Sequence, residues 1–190
     1  MDPRFSNLIE KNGILNFKLE GINVSLANAL RRTIISDIDT VVIKTFPHSE
    51  NQANIMINTT RFNNEILKQR LSCIPIHIED TNIPLESYVI EVHKKNETDT
   101  IQYVTTEDFK VKNEKTQTYL KDEEVKKIFP PNNITNQYID FVRLTPKLSD
   151  QIDGSELKMT AKMSISNAKD SSMYNVVSTC SYKNTLDKIA

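Results

Sequence analysis

The chain has 190 residues, with 24 Lys and Arg against 25 Asp and Glu and a formal net charge of −1. That length holds one domain or two small ones, and 38% hydrophobic with 26% charged residues is ordinary globular usage, which excludes wholesale disorder. The near-neutral balance, the absence of Trp and the 7% aromatic content argue against a protein whose main work is gripping phosphates or stacking bases.

Residues 1–13 lack the charged start and apolar run of a secretory signal. No stretch reaches the roughly 18 apolar residues that a membrane helix needs. The two cysteines, Cys73 and Cys180, make neither a disulfide framework nor a zinc knuckle and suit a reducing compartment. A soluble, intracellular protein without membrane contact is expected.

In chain order, 14–20 reads as a strand ending at Gly21. Ser25 suits a helix N-cap, because its hydroxyl accepts a free backbone N–H of the first turn. Residues 26–36 contain no Gly or Pro and read as a helix. At about 100° per residue, Leu26, Ala27, Ala29, Leu30, Thr33 and Ile34 share roughly 160° of arc. That face is expected to pack on the parent domain. Ile35 falls across the wheel beside Asn28, Arg31 and Arg32, and an apolar residue on the polar side points to a helix covered twice. The alternative is an ordinary amphipathic helix with one exposed Ile.

A β-branched strand is expected over 40–46, stopped by Pro47, and a short one over 55–57. A helix over about 63–71 leads into a strand broken by Pro75. Arg70 lies on that helix's apolar side, where it either snorkels or pairs with a carboxylate. The stretch 85–136 is polar, with strand candidates at 88–92 and 102–104 and a helical turn ahead of Pro130 and Pro131. The clearest strand is 157–166, where Leu157, Met159, Ala161, Met163 and Ile165 alternate with polar residues. A last strand is expected over about 174–182. Few helices and many short strands make the class α+β.

Catalytic chemistry is poorly supplied. His48, His77 and His93 stand alone, without a second metal ligand at a useful spacing. Asp122, Glu123 and Glu124 sit between lysines, as on a solvated helix face. No phosphate loop, nucleophile elbow or paired Asp motif occurs. The chain is therefore not expected to be an enzyme by itself, nor to hold a metal or other cofactor.

The specific residues are Ser25-Leu26-Ala27-Asn28-Ala29-Leu30-Arg31-Arg32-Thr33-Ile34-Ile35 and the run from Asp37 to Ile43. They resemble the signature of the RNA polymerase alpha-like family: bacterial alpha, its archaeal D-type counterpart and the eukaryotic third subunit. A second stretch, Asn58-Thr59-Thr60 followed by Asn64 to Ile76, is similar to the family's N-T-S … D-E-x-x-A-H-R-L-G-x-I-P pattern, with Gln69 for the usual His and Ser72 for the usual Gly. The stretches 104–109, 142–146 with 154–159, and 174–179 follow in family order.

The resemblance implies a dimerisation domain, 1–46 and 176–190, interrupted by a mostly β insert domain, 47–175. It implies a non-catalytic scaffold subunit of a multisubunit DNA-directed RNA polymerase, acting in transcription. Leu26, Ala27, Ala29, Leu30, Ile34 and Ile35 would form the dimer interface with a second alpha-like subunit, either a copy of this chain or a smaller L or eleventh-subunit type. Arg31 and Arg32 match the arginine pair that helps contact the second-largest subunit, and the dimer seats both large subunits. DNA would be met only through the complex. The cysteine clusters that bind zinc or iron–sulfur groups in some relatives are absent. The family continues with another strand and a long helix, whereas this sequence stops at Ala190, which implies a part on another polypeptide, a fragment or a reduced version. The Ile128-Phe129-Pro130-Pro131-Asn132-Asn133 stretch and the 175–182 ending resemble versions in large DNA viruses, which would place the protein in host cytoplasm or virion; otherwise it belongs in a nucleus or an archaeal cytoplasm. A stand-alone nucleic-acid-binding module is the competing reading.

Overall fold

A computed structural model describes residues 2–78, 80, 83–149 and 151–185. The strands are β1 (Arg4–Lys11), β2 (Ile14–Glu20), β3 (Thr40–Val42), β4 (Ala53–Asn58), β5 (Tyr88–Lys95), β6 (Gln102–Thr105), β7 (Lys110–Asn113), β8 (Thr118–Tyr119), β9 (Asp140–Leu144), β10 (Glu156–Lys162) and β11 (Ser164–Ser166). The helices are α1 (Val24–Ser36), α2 (Asn64–Ser72) and α3 (Asp122–Ile128), an α+β arrangement as expected. The chain divides into a smaller unit, Met1–Ile38 with Asn175–Ala190, and a larger one, Asp39–Tyr174.

The alternation in β10 organises the larger unit. Leu157, Met159 and Ala161 are buried, while Glu156, Lys158, Thr160 and Lys162 occupy the other face. β10 lies between β4 and β5 in an antiparallel sheet ordered β4-β10-β5-β7-β8. Leu67 and Leu71 of α2 share its core. Phe109 stands edge-on to Phe129 and Phe141, with centroids 5.4 and 5.8 Å away. Burying each large side chain contributes about 1.5–3 kcal/mol. Every buried hydrophobic residue among the described ones, from Val41 to Tyr174, belongs to this unit.

The expected strand 157–166 is interrupted at Met163. β10 serves the large sheet, whereas β11 turns to pair with β3. That pairing, Ser164 with Val42 and Ser166 with Thr40, draws 39–46 into the larger unit. Asn167 Nδ2 also donates to Asp39 Oδ1 at 2.9 Å, and Lys44 Nζ lies 3.6 Å from Asp170. The first segment of the smaller unit therefore ends at Ile38 rather than at 46, and β3 stops at Val42 rather than at 46. The strand expected after Pro75 does not form, although Ile74 and Ile76 are buried. Nor is there a strand over 174–182; Ser172–Tyr174 is a 3-10 turn, and the segment beyond it is irregular.

In the smaller unit β1 pairs with β2 across Asn12 and Gly13, whose φ values of 54° and 71° suit a tight hairpin turn. The sequence reading missed β1, although Asn-Gly between two runs was its signal. Phe5 and Phe17 lie 5.4 Å apart on one face of the hairpin.

Candidate dimerisation interface

α1 starts because Asn23, in extended conformation, accepts the Leu26 N–H on its Oδ1 at 2.9 Å. Asn23 thus takes the capping role expected of Ser25, which lies inside the first turn. The Asp37 N–H closes the far end on the Thr33 carbonyl at 2.9 Å. Gly21 precedes the helix with φ +74°, and a Cβ there would stand 2.4 Å from the Asp2 carbonyl oxygen. Only glycine fits so close an approach.

No residue of α1 is buried. Ala27, Asn28, Leu30, Arg31, Ile34 and Ile35 are half-buried, whereas Leu26, Ala29, Arg32 and Thr33 are exposed, Leu26 at 54%. The partly covered side is therefore rotated from the one that hydrophobicity indicated. Leu26, Ala29 and Thr33, expected on the parent domain, lie open. Ile35, expected to point away, sits on the partly covered side. On that side Arg31 Nε and Nη2 both donate to Asn28 Oδ1, at 3.1 and 3.0 Å, folding the guanidinium along the helix. A long side chain held this way covers area that a wheel built on hydrophobicity assigns to apolar residues. Arg32 is exposed, and its side chain makes no hydrogen bond or ion pair among the described residues.

The other resembling stretches serve the larger unit internally. Asn58 Oδ1 accepts from the Thr60 N–H and hydroxyl, and Thr59 Oγ1 accepts the Glu156 N–H at 2.7 Å. Arg70 meets no carboxylate; its Nε and Nη2 donate to the carbonyls of Phe141 and Asp140, each at 2.8 Å, and its guanidinium lies over the Phe62 ring. Ser72, where the family carries Gly, is buried and donates to the Ile43 carbonyl at 3.0 Å. Asp108 caps its own turn through the Thr105 N–H and receives Lys94 Nζ on both oxygens at 2.9 Å. Asn96, fully buried, donates to the Thr100 and Leu144 carbonyls. The Asn96 backbone passes so near Gly154 that a Cβ there would lie 1.9 Å from the Asn96 carbonyl oxygen.

On the outward face of the large sheet several basic side chains meet carboxylates. Lys95 meets Asp153 at 3.1 Å and Lys162 meets Glu114 at 3.0 Å, while His93 Nε2 lies 2.9 Å from Glu156. The hydrogen bond to Asp153 holds the Lys95 ammonium above its usual range. Such a face offers little uncompensated charge to phosphates. An open groove of about 490 Å³ is lined by Pro84, Glu114, Met163, Ser164 and Ile165 among others. Among the described residues no three His, Cys, Asp or Glu side chains gather as metal ligands, and no helix is long and apolar enough to cross a membrane.

Residues 16–150 match the family model described as the RNA polymerase Rpb3/Rpb11 dimerisation domain. The chain belongs to that family. The match begins in β2, contains all of α1 and runs through most of the larger unit. Three similar proteins give the range of the family. The chain is 38% identical over 69 residues to "DNA-directed RNA polymerases IV and V subunit 3B" of Arabidopsis thaliana, covering 36% of this chain and 19% of that protein. It is 34% identical over 88 residues to "DNA-directed RNA polymerases I and III subunit rpac1" of Dictyostelium discoideum, covering 44% and 24%. To "DNA-directed RNA polymerase subunit Rpo3" of Thermoplasma volcanium it is 37% identical over 81 residues, covering 40% and 29%. The matched stretches thus span less than a third of each relative. These three are plant, slime-mould and archaeal proteins; a viral origin rests on the two sequence stretches that suggested it.

Proposed function

We propose that the chain is a non-catalytic assembly subunit of a DNA-directed RNA polymerase, and that α1 is the centre of its pairing with a second alpha-like subunit. The observation that carries this reading is a mismatch between sequence and burial. α1 holds the most family-specific run in the sequence, yet among the described residues that run has no fully buried side chain and packs along no other helix or strand for more than a passing contact. Phe5, Leu8, Ile9, Ile14, Leu15 and Leu26 are exposed apolar residues of the same unit. So many exposed large apolar side chains in one small unit suit an interface.

Within that interface Leu26 and Ala29 stand on the open side, where a partner helix approaches closely. Leu30, Ile34 and Ile35 border it, and Ala27 lies beside them. Arg32 is free to reach a carboxylate or carbonyl of a large subunit, and Arg31 is positioned by Asn28. We assign the partner as a shorter Rpb11-type chain, because the similar proteins are of the third-subunit type. The dimer then seats the second-largest and largest subunits, and the chain meets DNA only through them. Affinity purification from the native source followed by mass spectrometry tests this. Recovery with the large polymerase subunits and an alpha-like chain is expected; recovery without any polymerase subunit contradicts it.

A further inference from the structure

The turn between β1 and β2 consists of Asn12 and Gly13, both exposed, with φ of 54° and 71°. A two-residue turn with positive φ at both positions favours Asn-Gly. The same pair carries chemistry that the turn does not use. The backbone nitrogen after an asparagine can close a ring on the side-chain carboxamide, and only glycine puts no Cβ in the way. Among the described residues neither the Asn12 carboxamide nor the Gly13 N–H has a hydrogen-bond partner, and a Cβ at Gly13 would meet nothing within 4 Å. Other asparagines are held. Asn58, Asn96 and Asn132 each accept a backbone N–H on Oδ1, and each is followed by a residue with a side chain. Asn12 is the only asparagine in the sequence followed by glycine. The related pair Asp153-Gly154 is held at both residues. Lys95 Nζ lies 3.1 Å from the Asp153 carboxylate, and the Cβ position of Gly154 is 1.9 Å from the Asn96 carbonyl oxygen.

We propose that Asn12 is a self-modification site, converted to aspartate and isoaspartate with the Gly13 nitrogen as nucleophile and water as co-reactant. The Gly13 N–H gives its proton to a base from solvent, and the nitrogen attacks Asn12 Cγ. The Cγ–Nδ2 bond breaks, and Nδ2 takes up a proton and leaves as ammonia. The cyclic succinimide then adds one water. Cleavage between Cγ and the Gly13 nitrogen gives aspartate; cleavage between the Asn12 main-chain carbonyl carbon and that nitrogen gives isoaspartate. Nothing is oxidised or reduced. Isoaspartate routes the main chain through Cβ and Cγ, which adds a methylene to the turn that sets the pairing of Lys11 with Ile14 and Glu10 with Leu15. Either product places a new negative charge at the hairpin tip.

Peptide mapping by mass spectrometry on the full chain, incubated in buffers of rising pH, tests this. Conversion at Asn12 should speed up by about tenfold per pH unit, because the attacking amide nitrogen must lose its proton far below its pKa. Isoaspartate is told from aspartate by its resistance to a protease that cleaves before aspartate, and Asp153 should stay cleavable throughout. Asn12→Gly keeps a residue that accepts positive φ and should remove the conversion. In the converted chain, amides of β1 and β2 should exchange with deuterium faster than in the fresh chain. An Asn12 that stays intact while an unstructured peptide of residues 8–17 converts would overturn the proposal. Equal conversion at Asn58, Asn96 and Asn132 would overturn the selectivity argued from the turn, and unchanged exchange in β1 and β2 would overturn the effect on register.

Discussion

Arg31 and Arg32 are adjacent in sequence and differ in surroundings. Arg31 is tied along the helix by Asn28, while Arg32 is open. Arg32→Ala should weaken capture of the second-largest subunit by about 10-fold or more, a change of about 1.4 kcal/mol, and Arg31→Ala should have the smaller effect. Titrated pull-down of that subunit separates them; equal effects would mean that the bond to Asn28 does not matter to recruitment. In the larger unit Gly154 has no room for a side chain, since a methyl group there collides with the Asn96 carbonyl. Gly154→Ala should destabilise the chain by about 2 kcal/mol or more, lowering its thermal midpoint by roughly 5 °C or more. An unchanged midpoint would mean that the backbone around Gly154 relaxes freely.

At the scale of elements, α1 is the case in which periodicity alone misled. Its apolar residues identify a helix, but the half-buried side, which includes Asn28, Arg31 and Ile35, is not the one their count indicates. Leu26→Asp is therefore the sharper test of pairing than Ile35→Asp. It places a charge on the open side, where docking would bury it unpaired, and it should weaken pairing by about 100-fold or more, a loss of about 2.7 kcal/mol. Circular dichroism of the lone chain should not change. Normal pairing by the variant in analytical ultracentrifugation would move the interface off this side of α1. β3 and β11, by contrast, tie the entry and exit of the larger unit, and Tyr174 closes that join. Burial pushes its phenol up from the usual range, opposed by a hydrogen bond with Ser72. A raised phenol pKa stabilises the fold fully below pH about 10. The contribution is lost as pH rises through the folded-state value. Unfolding midpoints compared between the natural chain and Tyr174→Phe should therefore converge as pH rises above about 10, and a constant gap would contradict the assignment.

For the whole molecule, β10 was legible in the sequence because it carries the period-2 signature of a one-sided core, and β5, β6 and the helix α2 lie close to the stretches read as strand and helix. What was not legible depends on pairing between distant segments. β11 leaves the β10 line to join β3, which moves the unit boundary to Ile38. Residues 174–182 carry strand-like residues but gain no neighbouring strand. β1 was hidden because its apolar residues do not alternate cleanly, and a bulge between Ser6 and Ile9 shifts its register. In α1 the motif was legible and the exposed side was not. The most direct measurement is sedimentation velocity of the full chain with the Rpb11-type subunit of its own organism. Dimerisation through α1 predicts a single 1:1 species that Leu26→Asp dissolves into its components. Separate boundaries for the two natural chains at micromolar concentration, unchanged by the substitution, would contradict it.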